Sequence, residues 1–363
     1  MASLTLRATP AALLFAAAGC ATRASGTPTP PPGSGSGGNS VGDDGGATAT
    51  ADGGNVAVDG GAADLGGPVS PAGTEYAPYF YTWGWGSTSY AFSTLAEMKS
   101  KGGPAAVTIA FVLSGGGCKV TTDIQDNLAD VKSYIAAGGH VKASFGGADG
   151  TYLENACADA PSLAAAISGF VDATGITDLD FDIEQGSTSS NATINAMRAT
   201  ALATVQAQKG IRVAFTLPVN PDGLDNLGLA VVTAAIKAGV AISFVNIMTR
   251  DYGDGTNLGS IPVQSIDATA KQLQSAISGL DADAAYRMVG VTPMIGDNDD
   301  SEVFSVANAQ TLIAYAKQKH LGLVAFWAIQ RDQKCPSGTD LDVCNGVSAS
   351  TFQFDQIFAG VDD

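Results

Sequence analysis

The sequence contains few positive charges and few side chains that commonly bind metals. Only 18 Lys and Arg residues stand against 35 Asp and Glu residues, so the formal net charge is −17. A chain this acidic repels phosphate backbones, which argues against nucleic acid as a partner. The two histidines and five cysteines show no metal-ligand spacing, and no Ser-His-Asp arrangement stands out. We therefore expect neither a metal nor another cofactor.

The N-terminal region lacks the residues that a folded domain needs. No aromatic residue occurs between Phe15 and Tyr76, and no Lys or Arg occurs between Arg23 and Lys99. Residues 21–74 consist mainly of Gly, Ser, Thr, Pro, Ala and Asp, a composition that buries too little apolar surface to offset its ordering entropy. We predict a flexible, disordered linker over 21–74.

Residues 1–20 resemble an export signal. Arg7 supplies a positive start, and residues 11–18 form an apolar run that is too short to span a bilayer. The segment ends in Ala-Ala-Gly-Cys at Cys20, which resembles a bacterial lipobox whose cysteine is lipidated. The alternative is an ordinary secretory signal that happens to contain a cysteine. Both interpretations predict an exported protein, either secreted or held at a membrane by a lipid anchor.

The remaining chain, 75–363, alternates predicted strands with predicted helices. Strand-like runs begin near Tyr76, Ala105, His140, Thr177, Ile211, Ala241, Tyr286 and Leu321. Helical patterns cover Leu95–Lys101, Asp123–Ala137, Ser162–Ala173, Asn191–Gln208, Asn226–Ala238, Asp267–Leu280, Asn308–Lys319 and Thr351–Phe358. This alternation predicts a single (β/α)8 TIM barrel. A doubly wound open sheet is the alternative, but its Gly-x-Gly-x-x-Gly loop is missing.

One predicted strand carries a row of carboxyl groups. Alternate side chains of a strand point to opposite faces. One face is acidic and carries Asp178, Asp180, Asp182 and Glu184. The opposite face is apolar and carries Leu179, Phe181 and Ile183. Such a row is costly unless hydrogen bonds or shared protons relieve it. A barrel strand fits best, because helices cover its apolar face and its C-terminal end opens into a site. A solvent-facing acidic strand and a calcium or magnesium site are the alternatives.

Several motifs resemble those of one enzyme family. The run Asp180-Phe181-Asp182-Ile183-Glu184 resembles the Asp-x-Asp-x-Glu signature of family 18 glycoside hydrolases, the chitinase family, on their fourth barrel strand. Ser144-Phe145-Gly146-Gly147 matches that family's Ser-x-Gly-Gly motif one strand earlier. Further matches to a bacterial chitinase-like branch are Thr216–Val219, Asn246–Met248, Asp251–Gly253, Gly290–Gly296, Ala325–Trp327 and Arg331–Asp332.

The sequence departs from the family pattern in two places. The family's first signature aspartate falls on Thr177, and its usual glycine falls on Asp178. The family's sixth-strand tyrosine falls on Arg250, and Tyr252 is the substitute that we expect. The first departure alters the relay of charge from the deepest aspartate.

The resemblance implies hydrolysis of β-1,4 links beside N-acetylglucosamine, with the substrate's own acetamido oxygen as the nucleophile. It implies that Glu184 acts first as acid and then as base, that Asp182 holds the acetamido N–H, and that Asp180 shares a proton with Asp182. Tyr252 is the fourth expected catalytic residue. Two alternatives are a barrel that binds chitin-type sugars without cutting them, which Glu184 argues against, and an endo-β-N-acetylglucosaminidase acting on glycoprotein glycans.

The resemblance also implies residues that contact sugars or shape the site. We expect sugar contacts from Trp327, Asp251, Met248, Trp83 and Tyr81. Ordinary core packing is the alternative for Trp327 and Trp83. Structural roles in the third strand fall to Ser144, Gly146 and Gly147. The expected partners are chitin or chitooligosaccharides, with a membrane contacted only through the lipid anchor, and the expected state is a monomer.

The cysteines of the predicted barrel are consistent with export. An exported chain favours disulfides, and sequence proximity suggests Cys335–Cys344, which leaves Cys118–Cys157. Both bonds would connect loops that follow predicted strands.

Overall fold

The computed structural model describes residues 73–253, 257–336 and 340–362. The predicted export signal with Cys20 and nearly all of the predicted linker lie outside these residues. Over the part of the chain that is described, no helix is long and apolar enough to cross a membrane.

Parallel strands form the centre of the fold. Within the described residues, nine strands form one sheet in the order β1-β11-β8-β7-β6-β5-β4-β3-β2, and β9 and β10 pair as an antiparallel hairpin. In chain order the strands are β1 Glu75–Tyr76, β2 Tyr79–Tyr81, β3 Ala106–Val112, β4 His140–Gly146, β5 Asp178–Asp182, β6 Arg212–Pro218, β7 Ile242–Met248, β8 Val289–Thr292, β9 Gly296–Asp297, β10 Val303–Phe304 and β11 Leu323–Val324.

The first barrel strand is split into two pieces, and this strand closes the sheet. Its first piece, β1, pairs in parallel with β11, while its second piece, β2, pairs in parallel with β3. Between the pieces, the Ala77 and Tyr79 N–H groups donate to the carbonyls of Val324 and Phe326, each at 3.1 Å. One continuous segment therefore bonds to both ends of the sheet. The predicted eight-stranded barrel is confirmed, and the acidic strand β5 is its fourth strand.

Helices surround the barrel. They are α1 Leu95–Ser100, α2 Asp123–Asp126, α3 Leu128–Ala136, α4 Leu153–Ala156, α5 Ala160–Thr174, α6 Gly186–Ser189, α7 Ala192–Lys209, α8 Asn226–Lys237, α9 Ile261–Ala276, α10 Ala282–Met288, α11 Val306–Lys319 and α12 Gln353–Ala359. Short 3-10 turns lie at Thr82–Gly84, Ile329–Arg331 and Gly360–Asp362.

Two predicted boundaries are wrong. The seventh barrel strand begins at Val289 rather than near Tyr286, because Asp281 accepts a hydrogen bond from the Ala284 N–H and starts the helix α10 over that segment. The helix predicted from Asp267 begins six residues earlier, at Ile261, with a proline in its first turn. Proline is favoured there because the first turn has no partner for its N–H group.

The apolar face of β5 is covered by helices, as the alternation predicts. Leu179, Phe181 and Ile183 are buried in the main core. The Phe181 ring stacks on Phe145 of β4 at 5.2 Å, and Phe145 packs edge-on against Phe170 of α5 at 5.2 Å. Each such burial contributes about 1.5–3 kcal/mol relative to exposure. This packing fixes β5 so that its acidic face points into the barrel.

Cations neutralise the N-terminal end of the carboxyl row. Asp178 Oδ2 lies 2.8 Å from Arg212 Nη1, 3.6 Å from Lys142 Nζ and 3.2 Å from His140 Nε2. Burial raises the pKa of Asp178, but His140, Lys142 and Arg212 together hold it below its ordinary value. Glu75 forms an ion pair with Lys142 at 2.7 Å and accepts a hydrogen bond from Arg212 at 2.5 Å. Asp178 is therefore an ionised, paired carboxylate at the base of the barrel.

Candidate active site

A cavity of about 590 Å³ opens at the C-terminal ends of the barrel strands. Asp182 and Glu184, from the end of β5, lie in its wall with Met248, which ends β7. Trp327, Trp83 and Arg250 are also part of the lining. The period of the strand thus places two carboxyl groups at the mouth of the barrel, and Asp180 lies one layer below them.

Asp180 is buried and accepts several hydrogen bonds. Ser144 Oγ donates to Oδ2 at 2.7 Å, Thr216 Oγ1 donates to Oδ1 at 2.7 Å, and Tyr79 OH donates to Oδ2 at 3.1 Å. Burial raises the pKa of Asp180, and these three donors oppose that rise. Asn246 Nδ2 donates to Thr216 Oγ1 at 3.0 Å, which extends the network across the barrel. The network is suited to holding Asp180 as a carboxylate.

Asp182 has the opposite environment. It is only 4% exposed, and its Oδ1 atom has no hydrogen-bond partner among the described residues. Burial raises its pKa well above the ordinary value, and the neighbouring charges of Glu184 and Asp180 raise it further, while Arg250 opposes them. Two adjacent carboxyls resist joint ionisation. Three donors favour the ionised form of Asp180, whereas no donor reaches Asp182 Oδ1 among the described residues.

Glu184 is held from two sides. Its N–H group donates to Tyr152 OH at 2.9 Å, and that hydroxyl donates to the Gly147 carbonyl at 2.7 Å. Its side-chain Oε2 accepts from Arg250 Nη2 at 3.0 Å. Burial raises the pKa of Glu184, and Arg250 opposes that rise. A carboxyl group with a raised pKa that faces a cavity is the kind of group that can deliver a proton near neutral pH.

Glycine is required where the third strand passes the acidic strand. Gly146 pairs with Asp182 and has a φ of +117°. A Cβ atom added there would lie 1.9 Å from the Asp182 carbonyl oxygen. The neighbouring Gly147 N–H donates to that same carbonyl at 3.0 Å. The two glycines thus allow the backbone of β4 to fix the position of Asp182.

Aromatic rings form one wall of the cavity. Trp327 is half-buried, with Phe111 stacked on it at 5.5 Å and 18° and Tyr79 tilted against it at 5.6 Å. Trp83 is 49% exposed and stacks on Tyr81 at 4.3 Å. Both tryptophans therefore line the cavity, and Trp327 also packs against a buried cluster that includes Tyr79.

Two known proteins that are similar to this chain in sequence carry the name chitinase. The chain is 33% identical over 252 residues to a probable bifunctional chitinase/lysozyme of Escherichia coli, covering 63% of this chain and 27% of that protein. It is 30% identical over 281 residues to endochitinase 11 of Metarhizium anisopliae, covering 71% of this chain and 52% of that protein. The chain thus spans about a quarter and about half of the length of these relatives.

Among solved structures, the catalytic domain of the hyperthermophilic chitinase from Pyrococcus furiosus superposes with a TM-score of 0.72 at 28% identity, covering 81% of this chain and 97% of that one. The chain is thus similar to chitinases both in sequence and in fold. No protein-family model matches the chain.

The structure corrects three expectations about this site. Tyr252 does not reach the cavity, because its hydroxyl lies 2.9 Å from Ser265 Oγ at the start of α9. Asp251 does not line the cavity either, since its carboxylate bonds to Arg250 at 2.9 Å. Tyr81 is fully buried beneath Trp83 and contributes no cavity surface. Arg250, at the position of the family tyrosine, occupies the wall instead.

Four residues that hold the carboxyl groups of the site were not predicted in these roles. Tyr79, Thr216 and Asn246 bond around Asp180, and Tyr152 bonds the Glu184 backbone. A signal existed for Thr216 and Asn246, because both are polar residues near strand ends, and Asn246 shares the face of Met248. The sequence around Tyr79 and Tyr152 carries no comparable signal, since a buried tyrosine is usual in a core.

Two disulfides fix loops on the same side of the barrel. Cys118, after β3, bonds to Cys157, after β4, with a Cα–Cα distance of 4.5 Å. Cys335 bonds to Cys344 within the segment that follows β11, with a Cα–Cα distance of 5.2 Å. Both predicted pairings are present. Among the described residues, no group of three His, Cys, Asp or Glu side chains could hold a metal ion.

Proposed function

We propose that this chain hydrolyses β-1,4 links in chitin or chitooligosaccharides with retention, using the substrate's own acetamido group as the nucleophile. One observation carries the proposal. Asp182 is buried in the cavity wall with an oxygen atom free of any partner among the described residues, and Glu184 faces the same cavity on the same strand face. An acetamido N–H would satisfy that oxygen. The chitinase relatives support the substrate class.

In the first step Glu184 gives its proton to the oxygen of the leaving sugar while the bond from that oxygen to the anomeric carbon breaks. The acetamido oxygen forms a new bond to the anomeric carbon, and an oxazolinium ion results. In the second step the Glu184 carboxylate takes a proton from water as the water oxygen attacks the anomeric carbon. The bond between the acetamido oxygen and the anomeric carbon breaks, which opens the oxazolinium ring, and Glu184 is protonated again.

Asp182 and Asp180 carry the charge that develops on the acetamido group. When the oxazolinium forms, its N–H becomes a stronger donor, and an ionised Asp182 stabilises it. The proton that leaves Asp182 passes to Asp180, because the two carboxyls are coupled. The hydroxyls of Ser144, Thr216 and Tyr79 can reorient to accept from a protonated Asp180.

The aromatic wall supplies sugar stacking. Trp327 forms the floor beneath the sugar whose bond is cut, and the exposed Trp83 binds a neighbouring sugar. Aromatic faces suit the apolar faces of sugar rings in water-accessible clefts. The 590 Å³ volume has room for a short oligomer in contact with both rings.

Export is also part of the proposal. The pattern at residues 1–20 supports export, and Cys20 supports a lipid anchor. Both disulfides support an oxidising compartment. A monomeric enzyme is also part of the proposal, since one chain is enough to supply Asp180, Asp182 and Glu184.

The test is Glu184→Gln, which keeps the shape of the side chain but cannot deliver the proton. Turnover of chitotetraose should fall by about 10²–10⁴-fold, while binding measured by calorimetry survives. Glu97→Gln is the matched control, because Glu97 pairs with Lys101 on α1, away from the cavity. Unchanged turnover in Glu184→Gln would overturn the assignment.

Two further outcomes separate the alternatives. If the unmutated protein binds chitotetraose but cuts neither it nor a high-mannose glycopeptide, the chain is a lectin. If it cuts only the glycopeptide, the substrate is a glycoprotein glycan.

A further inference from the structure

Arg250 is the cation that contacts the proposed acid. Its Nη2 atom lies 3.0 Å from Glu184 Oε2, and its Nη1 atom lies 2.9 Å from Asp251 and 3.3 Å from Asp299. The arginine side chain is only 16% exposed. A guanidinium held by three carboxylates from three segments has little freedom to move, because its planar fork must satisfy all of them together.

The contact involves one oxygen of Glu184 and not the other. Oε2 accepts from Arg250, whereas Oε1 has no hydrogen-bond partner among the described residues, and the Glu184 side chain lines the cavity. An oxygen that accepts from a guanidinium is a poor site for a proton, since a protonated oxygen would place its hydrogen against the N–H donor. The proton is therefore directed to Oε1.

We propose that Arg250 is a positioning residue, which holds Oε2 of Glu184 and so makes Oε1 the oxygen that exchanges the proton with the leaving sugar and then with water. This inference rests on the proposed function. It adds a residue that lies outside the Asp-x-Asp-x-Glu signature, at the position where the family pattern has a tyrosine.

The charge of Arg250 has a second consequence, for the pH range of turnover. An opposite charge at hydrogen-bond distance lowers the pKa of a carboxyl group by about 1–3 units. Glu184 must be protonated to act as acid and ionised to act as base, so its pKa cannot rise without limit. The ionisable groups that face it are Arg250 and Asp251 after β7, Asp299 between β9 and β10, Asp149 and Tyr152 after β4, and Asp182 on β5. Arg250 is the cation in this set.

Two substitutions separate orientation from charge. Arg250→Lys keeps the charge but loses the planar fork, so kcat should fall about tenfold while the alkaline limb of the kcat/KM profile stays in place. Arg250→Gln keeps an N–H donor but loses the charge, so the alkaline limb should move up by about one pH unit. The sign follows because removing a cation favours the protonated carboxyl. Asp299→Asn is the control, since it removes a negative charge and should move the limb slightly downward.

An independent measurement needs no turnover. The chain contains five glutamates, so labelling with side-chain ¹³C-glutamate gives five carboxyl signals. Glu184→Gln identifies the signal of Glu184 by its disappearance. In Arg250→Gln the midpoint of that signal should rise by about one pH unit.

An unmoved midpoint in Arg250→Gln would overturn the proposal, as would an unmoved alkaline limb. If the unmutated protein cut no acetamido sugar, the proposed function would fail, yet the carboxyl titration would still decide whether Arg250 controls Glu184. Thermal denaturation of both variants checks that they are folded.

Discussion

Gly146→Ala tests how closely the third and fourth barrel strands approach at the catalytic carboxyls. The added Cβ would lie 1.9 Å from the Asp182 carbonyl oxygen, whereas real Cβ contacts are at least about 3.0 Å. The strands would have to separate by about 1 Å, and the hydrogen bond from the Gly147 N–H to the same carbonyl would be lost. Backbone strain at positive φ costs about 1–3 kcal/mol, and the lost bond and displaced strand cost a further 2–3 kcal/mol or so.

Gly116→Ala is the matched control. Gly116 has a φ of +115°, against +117° at Gly146, and no atom lies within 4 Å of its added Cβ. The Gly116→Ala variant should therefore lose only the free energy of backbone strain, without a steric clash. Thermal unfolding should show Gly146→Ala melting about 5 °C below Gly116→Ala, taking roughly 2 °C per kcal/mol for a domain of this size.

Turnover should distinguish the two variants more strongly than stability does. A 1 Å misplacement of Asp182 is expected to cost about 10²-fold in kcat, while Gly116→Ala should keep full activity. Equal melting temperatures and equal kcat values in the two variants would refute the argument from close approach.

Two further predictions concern Asp355, in the first turn of α12, and Cys20, near the N-terminus. Burial raises the pKa of Asp355, which accepts from Tyr76 OH at 2.6 Å, to about 7. Because the folded pKa is raised, the contribution of Asp355 to the free energy of unfolding is complete below pH 4. It is lost as the pH rises toward 7, by at most about 4 kcal/mol. Asp355→Asn should become more stable relative to the unmutated protein between pH 4 and pH 8 in urea unfolding, and a pH-independent difference would contradict this. Cys20→Ser should release the protein from membranes into the soluble fraction. Equal partition of both forms between membrane and soluble fractions would contradict the predicted lipid anchor.

The carboxyl row shows how much of the site could be predicted. A strand has a period of two residues, so the order of Asp180, Asp182 and Glu184 along one face follows from the sequence alone. The fourth position of that strand follows from counting apolar runs. Both statements depend only on local geometry, and the structure agrees with each.

The residues around the row could not be placed in the same way. Tyr252 and Arg250 are two positions apart after the same strand, yet Arg250 bonds Glu184 while Tyr252 turns to Ser265. Their directions depend on the backbone that follows β7, where Asp251 has a φ of 54°. A positive φ reverses the expected alternation of side chains, and Asp is one of the few residues that tolerates it.

The sequence by itself determined the alternation of strands and helices, the acidic face of β5 and the glycines that let β4 approach it, because these follow from chain periodicity and steric size. Only the tertiary structure decided which donors meet which carboxyl. Tyr79, Thr216 and Ser144 come from three different strands, and they converge on Asp180 because closure of the barrel sets their register. Hydrogen bonding differs between Asp180 and Asp182 for the same reason, although both are equally buried, so the electrostatic difference between them depends on contacts between residues that are distant in sequence.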